Sequence, residues 1–141
     1  VMRIISQFKI LKNEMDCKNS AWIFDFTIES TQYKTNVFNK NNVYKCKDVI
    51  ATSQGSIDYA LIRLDRKVIG REPLKFRSKG KVNDRQEILV IGHPSGLPMK
   101  IADGAQVLNN YSTGSFNTNL DTFGGNSGSP VFPDCGHDWL R

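Results

Sequence analysis

No apolar stretch in this sequence approaches the roughly 20 residues that a membrane-crossing helix requires. Residues 1–8 do not read as a secretory leader, because their apolar run is short and no small-residue cleavage site follows. Cysteine is sparse and odd in number, at Cys17, Cys46 and Cys135. No C-x2-C pair occurs, and His93 and His137 lie far apart in sequence, which argues against zinc. In an oxidising compartment Cys17 and Cys46 can pair, leaving Cys135 over or its partner missing. No long segment carries helical apolar spacing, and there is no internal repeat, low-complexity tract or linker. A length of 141 residues suits one domain with a real core.

A concentrated charge of one sign is also missing. The net charge is +5 and the pI about 9.2, but basic residues run from Arg3 to Arg141, interleaved with acids. The densest basic run places Lys75, Arg77, Lys79 and Lys81 among Phe76, Ser78 and Gly80, the composition of a solvated turn. No nucleic-acid-binding motif accompanies it, so no nucleic-acid partner is expected. No metal or cofactor is expected either.

What the sequence does contain is strand periodicity. Trp22, Phe24, Phe26 and Ile28 alternate with Ile23, Asp25, Thr27 and Glu29, which predicts a half-buried strand. Weaker alternation over 33–38 is closed by a polar turn at 39–42, and residues 43–50 alternate again. Residues 53–56 read as a turn before a mostly apolar strand at 57–64. The segment 65–81 holds Gly70, Pro73 and Gly80 and reads as loops with a short strand. A buried strand is expected at 87–92, then a tight turn at 93–98 punctuated by Pro and Gly. A strand over 99–108 is interrupted at Asp103-Gly104, and 109–118 reads as a polar hairpin. Many short strands with regular turn signals predict an all-β barrel or sandwich.

One stretch carries chemistry: Thr122-Phe123-Gly124-Gly125-Asn126-Ser127-Gly128-Ser129-Pro130-Val131-Phe132. Glycines beside a hydroxyl open backbone conformations closed to other residues and bring N–H groups close to a ligand. A nucleophilic serine needs such donors for an oxyanion and a base for its proton. Alone, a Gly-x-Ser-Gly stretch is weak evidence, since glycine–serine loops are common.

Three segments together resemble a trypsin-like (chymotrypsin-fold) serine protease of the bacterial kind, over residues 22–132. Gly125-Asn126-Ser127-Gly128-Ser129-Pro130 resembles the family's Gly-Asp-Ser-Gly-Gly-Pro signature. Ile57-Asp58-Tyr59-Ala60-Leu61-Ile62 resembles the strand bearing the triad aspartate, and Val90-Ile91-Gly92-His93-Pro94-Ser95-Gly96 resembles the Gly-His-Pro turn of bacterial members. The resemblance implies a double β-barrel of Greek-key type and a protein or peptide substrate. It implies Ser127 as nucleophile, Asp58 as the acid that orients the imidazole, and the N–H groups of Gly125 and Ser127 as oxyanion hole. It further implies Asp121, six residues before Ser127, at the base of the specificity pocket, with cleavage after Lys or Arg. Secreted or periplasmic localisation follows from the same likeness.

Each assignment has a plainer competitor. Asp58 can cap a turn before a buried strand, and Asp121 can face solvent. Ser129 carries a second hydroxyl, but the family's nucleophile is the serine two places earlier. His93 is expected to be structural or exposed, since the family places that turn away from the catalytic histidine.

The chain also departs from the pattern. No histidine precedes His93, and Lys9 is no neutral base at pH 7. Strands expected before the histidine and after the serine are missing, so the chain is expected to be the middle of a protease, partial in its barrels and truncated at both ends. A poor hydrolase is expected, or alternatively a protease-like binding module that does no chemistry.

Overall fold

The structure is a computed structural model that describes residues 14–31, 38–54 and 58–134. The expected strand at 33–38 therefore lies outside the described residues, apart from Phe38, as do the opening thirteen residues, the second half of the 53–56 turn, Cys135 and His137.

Two antiparallel sheets make up the chain. The first has the order β1-β2-β3, from β1 (Ala21–Ile23), β2 (Val43–Gln54) and β3 (Asp58–Leu64). The second has the order β6-β5-β4-β7, from β4 (Glu87–Gly92), β5 (Lys100–Asn109), β6 (Asn117–Thr118) and β7 (Val131–Pro133). One short helix, α1 (Glu14–Lys18), precedes them. The all-β expectation holds. Among the described residues neither sheet closes into a barrel.

The alternation from Trp22 to Ile28 yields a shorter strand than its period predicts. β1 stops at Ile23, and Asp25 takes a positive φ of 56°. Asp25 turns its carboxylate to the Arg71 guanidinium and to Asn42. The aromatic residues of the run beyond Ile23 are still used, but off the sheet. Phe24 meets the Tyr44 ring edge-on at 5.0 Å, and Phe26 meets Phe38 at 5.4 Å. Alternation reports which side chains find apolar partners, and a turn can satisfy it as well as a strand. The 65–81 segment likewise contains no strand, and runs as loop throughout.

β4 matches its apolar run, with Ile88, Leu89 and Val90 all buried because β5 and β7 flank it. The expected interruption at Asp103-Gly104 is a bulge. Pairing steps from Ile88↔Ala105 to Val90↔Ala102, so β5 contributes one extra residue, and Gly104 takes a φ of 69° there. Ile88, Ala105 and Val107 form the core of this sheet, with Val82, Phe116 and Leu120 packed against it. Phe116 and Leu120 flank β6 and so anchor the chain just before the serine turn.

A disulfide joins Cys17 to Cys46 across a sequence separation of 29, tying α1 to β2, and both the Cys17 side chain and neighbouring Tyr44 are buried. Closing a loop of that length removes enough unfolded-state entropy for roughly 3–4 kcal/mol. Reduction with dithiothreitol, or Cys17→Ser with Cys46→Ser, is expected to lower stability by about that amount in urea denaturation. An unchanged midpoint would show that the bridge contributes nothing.

Candidate active site

The serine turn hangs between β6 and β7, and its shape follows from where its backbone is allowed to lie. Its N–H bonds run from Asn126 to the Phe123 carbonyl at 3.2 Å and from Ser129 to the Asn126 carbonyl at 2.9 Å. Among the described residues these internal bonds leave the N–H groups of Gly125 and Ser127 unused. Gly125 has a φ of 101° and Gly128 a φ of 82°, conformations that glycine adopts without penalty. Ser127 is exposed.

The turn does not stand alone. It lies against the 3₁₀ turn Pro94–Gly96, where the Ser95 N–H donates to the Gly124 carbonyl at 2.6 Å. A Cβ on Gly125 would meet the Ser95 nitrogen at 2.8 Å and the His93 carbonyl oxygen at 2.9 Å. Below 3.0 Å such contacts require backbone to move. Gly92 is the complementary close approach. Its missing side chain leaves the space that Asn126 Oδ1 and Ser129 Oγ occupy. Asn126 Oδ1 is buried there without a hydrogen-bond partner among the described residues.

His93 is 8% exposed and serves the turn. Its ring stacks on Phe26 at 5.5 Å with planes 16° apart, and Nδ1 lies 3.1 Å from the Leu97 carbonyl. Burial pushes the imidazole below its ordinary value of 6.5, opposed by the bond to Leu97. Of the structural and exposed roles expected for it, the structure shows the first. The reading from residues alone missed its place directly against Gly125. Gly92 beside His93 was the available signal, since a glycine closing a buried strand marks a close backbone approach.

The remaining expected site residues are distributed as follows. Asp121 is exposed on the approach to the turn, one residue after the half-buried Leu120. Asp58 opens β3 in the other sheet, paired in register with Gln54, and its side chain lies outside the described residues. Gly125 and Ser127 thus share one turn with Asp121 on its lead-in, while Asp58 belongs to a separate sheet. What the turn can do chemically is present an exposed hydroxyl beside two uncommitted N–H donors.

Two expectations follow. Gly125→Ala combines an unfavourable φ with a backbone collision and should cost roughly 2–3 kcal/mol, against about 1 kcal/mol for Gly104→Ala, whose added Cβ meets nothing within 4 Å. Equal losses in chemical denaturation would refute the tight fit at Gly125. For His93 the folded chain prefers the neutral ring, so the unfolded chain binds the extra proton. The stability this ring contributes is present above about 6.5 and is lost as pH falls through the lower folded value. The melting temperature of the wild type should therefore fall more steeply below that pH than that of His93→Phe, and parallel curves would count against it.

The family model described as a trypsin-like peptidase domain matches residues 17–137. No curated protein and no solved structure matches the chain. The match spans both sheets, the serine turn and the turn that supports it, and the chain belongs to the trypsin-like peptidase family.

Proposed function

We propose that the chain is one trypsin-like domain of a serine endopeptidase, with peptide-bond hydrolysis through an acyl-enzyme on Ser127, and that these 141 residues, without the histidine base, hydrolyse very weakly by themselves. The observation that carries this reading is the serine turn itself, which presents an exposed Ser127 while its internal bonds leave the Gly125 and Ser127 N–H groups unused. Those two donors would take the charge that develops on the carbonyl oxygen. Asp58 would orient and stabilise a histidine, the general base of this chemistry. His93 is not assigned that role, because its ring is stacked on Phe26 and its Nδ1 faces Leu97.

Asp121 would select Lys or Arg at the cleavage site by a charge-assisted bond, a preference supported by its carboxylate and its place six residues ahead of Ser127. The Cys17–Cys46 bridge favours an oxidising compartment, in keeping with a secreted or periplasmic enzyme.

The 141 residues contain no histidine ahead of His93. By themselves they would retain only oxyanion and binding contributions, about 10³–10⁴ over the uncatalysed rate. That scarcity also supports a second reading, a protease-like module that binds peptides without cleaving them.

A fluorophosphonate probe separates the two. Labelling of the folded chain that disappears in Ser127→Ala is expected of the enzyme. Absence of labelling, with retained binding of a Lys/Arg peptide, would favour the binding module. On the enzyme reading, Asp121→Ala should lower kcat/KM for Arg substrates by about 10- to 100-fold, the loss of one charged hydrogen bond. Equal rates on Arg and Leu substrates would remove Asp121 from specificity.

A further inference from the structure

The serine turn and Asp58 belong to different sheets, and extensive strand packing lies within each sheet rather than between them. A chain of contacts nevertheless crosses from one half to the other, and it runs through Phe26. The Phe26 ring has Phe38 on one side at 5.4 Å and His93 on another at 5.5 Å. Its backbone carbonyl accepts the Met99 N–H at 2.8 Å. Phe26 therefore grips the His93–Met99 segment at both ends.

That segment is stiff between the two grips. The Gly96 N–H returns to the His93 carbonyl at 3.1 Å, and the Leu97 N–H to the Pro94 carbonyl at 3.0 Å. Pro94 has its φ set by its own ring. Ser95 takes a φ of 53°, uncommon outside glycine, which the surrounding bonds hold in place. On its far side the same segment offers the Ser95 N–H to Gly124, and the His93 carbonyl and Ser95 nitrogen to the bare Cα of Gly125. A displacement of the His93 ring would be passed on through two residues of backbone to the serine turn.

We propose that the Phe26–His93 stack is a positioning joint that sets the Ser127 turn relative to the sheet carrying Asp58. Phe26 and His93 are positioning residues, and neither touches the scissile bond. Their catalytic meaning rests on Ser127 being the nucleophile, whereas the mechanical coupling does not.

Hydrogen–deuterium exchange on the 141-residue protein tests the coupling without requiring activity. Phe26→Ala should speed exchange over 123–129 by roughly three- to tenfold, the fold-change that one aromatic pair supports, while β2 and β3 keep their protection. Phe26→Tyr should restore the wild-type pattern. Faster exchange confined to 24–28 would overturn the joint, and so would a uniform rise through β2 and β3, which marks general loss of stability. His93→Ala and His93→Phe provide a second route if Phe26→Ala does not fold. The alanine should loosen 123–129 and the phenylalanine, which keeps a ring on Phe26, should not; equal effects would overturn the proposal. Fluorophosphonate labelling of the same proteins keeps the two ideas apart. An unlabelled wild type whose 123–129 exchange still responds to Phe26 would favour the non-cleaving module and leave the joint standing.

Discussion

At Gly125 two backbones meet with no room for a side chain between them. The His93 carbonyl and the Ser95 nitrogen lie where a Cβ would go, and Ser95 ties the pair together through Gly124. Much of the candidate site follows from that contact. It selects a φ that carries the chain back toward β7, and it turns Asn126 and Ser129 inward over Gly92. Ser127 is left outside, with its hydroxyl exposed and its N–H not consumed by the turn. The arrangement needs glycine on both surfaces, Gly92 under the turn and Gly125 within it.

The first sheet is held by a different kind of chemistry. Among the described residues the buried apolar side chains here are Cys17, Trp22 and Tyr44, and aromatic faces are covered by guanidinium groups. Arg66 lies over Tyr44 at 4.0 Å while donating to the carbonyls of Lys40, Asn41 and Val43. Arg71 lies over Phe24 at 5.2 Å and binds Asp25 and Asn42. Each such contact is modest at an exposed site. Together with the disulfide they hold α1, β1 and β2 to the loop that brings Phe26 toward the second sheet. Rigidity in that loop matters to the site because the site's supporting turn is packed against it.

Legibility in the sequence was uneven, and the reasons are physical. β4 was readable because a strand flanked on both sides buries a continuous run, and Glu87 to Gly92 contains one. β5 was readable as well, its bulge included, since Asp103-Gly104 breaks the alternation where the backbone bends. Trp22 to Ile28 misled because its period-two pattern is real but its partners are rings and a turn rather than a neighbouring strand. The interaction of Asp25 with Arg71, 46 positions away, leaves no local trace. His93 shows the same limit. Its sequence announces a Pro/Gly turn, and Gly92 marks a close approach, but nothing nearby identifies Phe26 or Gly125 as the partners.

The sequence by itself determined the all-β class and the family likeness, and it pointed to Ser127 as the proposed nucleophile. Local composition suffices for these, because glycine spacing, alternation and short motifs act over a few residues. Tertiary structure decided what the serine turn rests on. It brought the Gly92–Gly96 turn beneath Gly125, committed the His93 ring to Phe26, and left Ser127 facing solvent. Those outcomes depend on which backbones can approach within 3 Å of each other, and that is a property of packed surfaces rather than of any one segment.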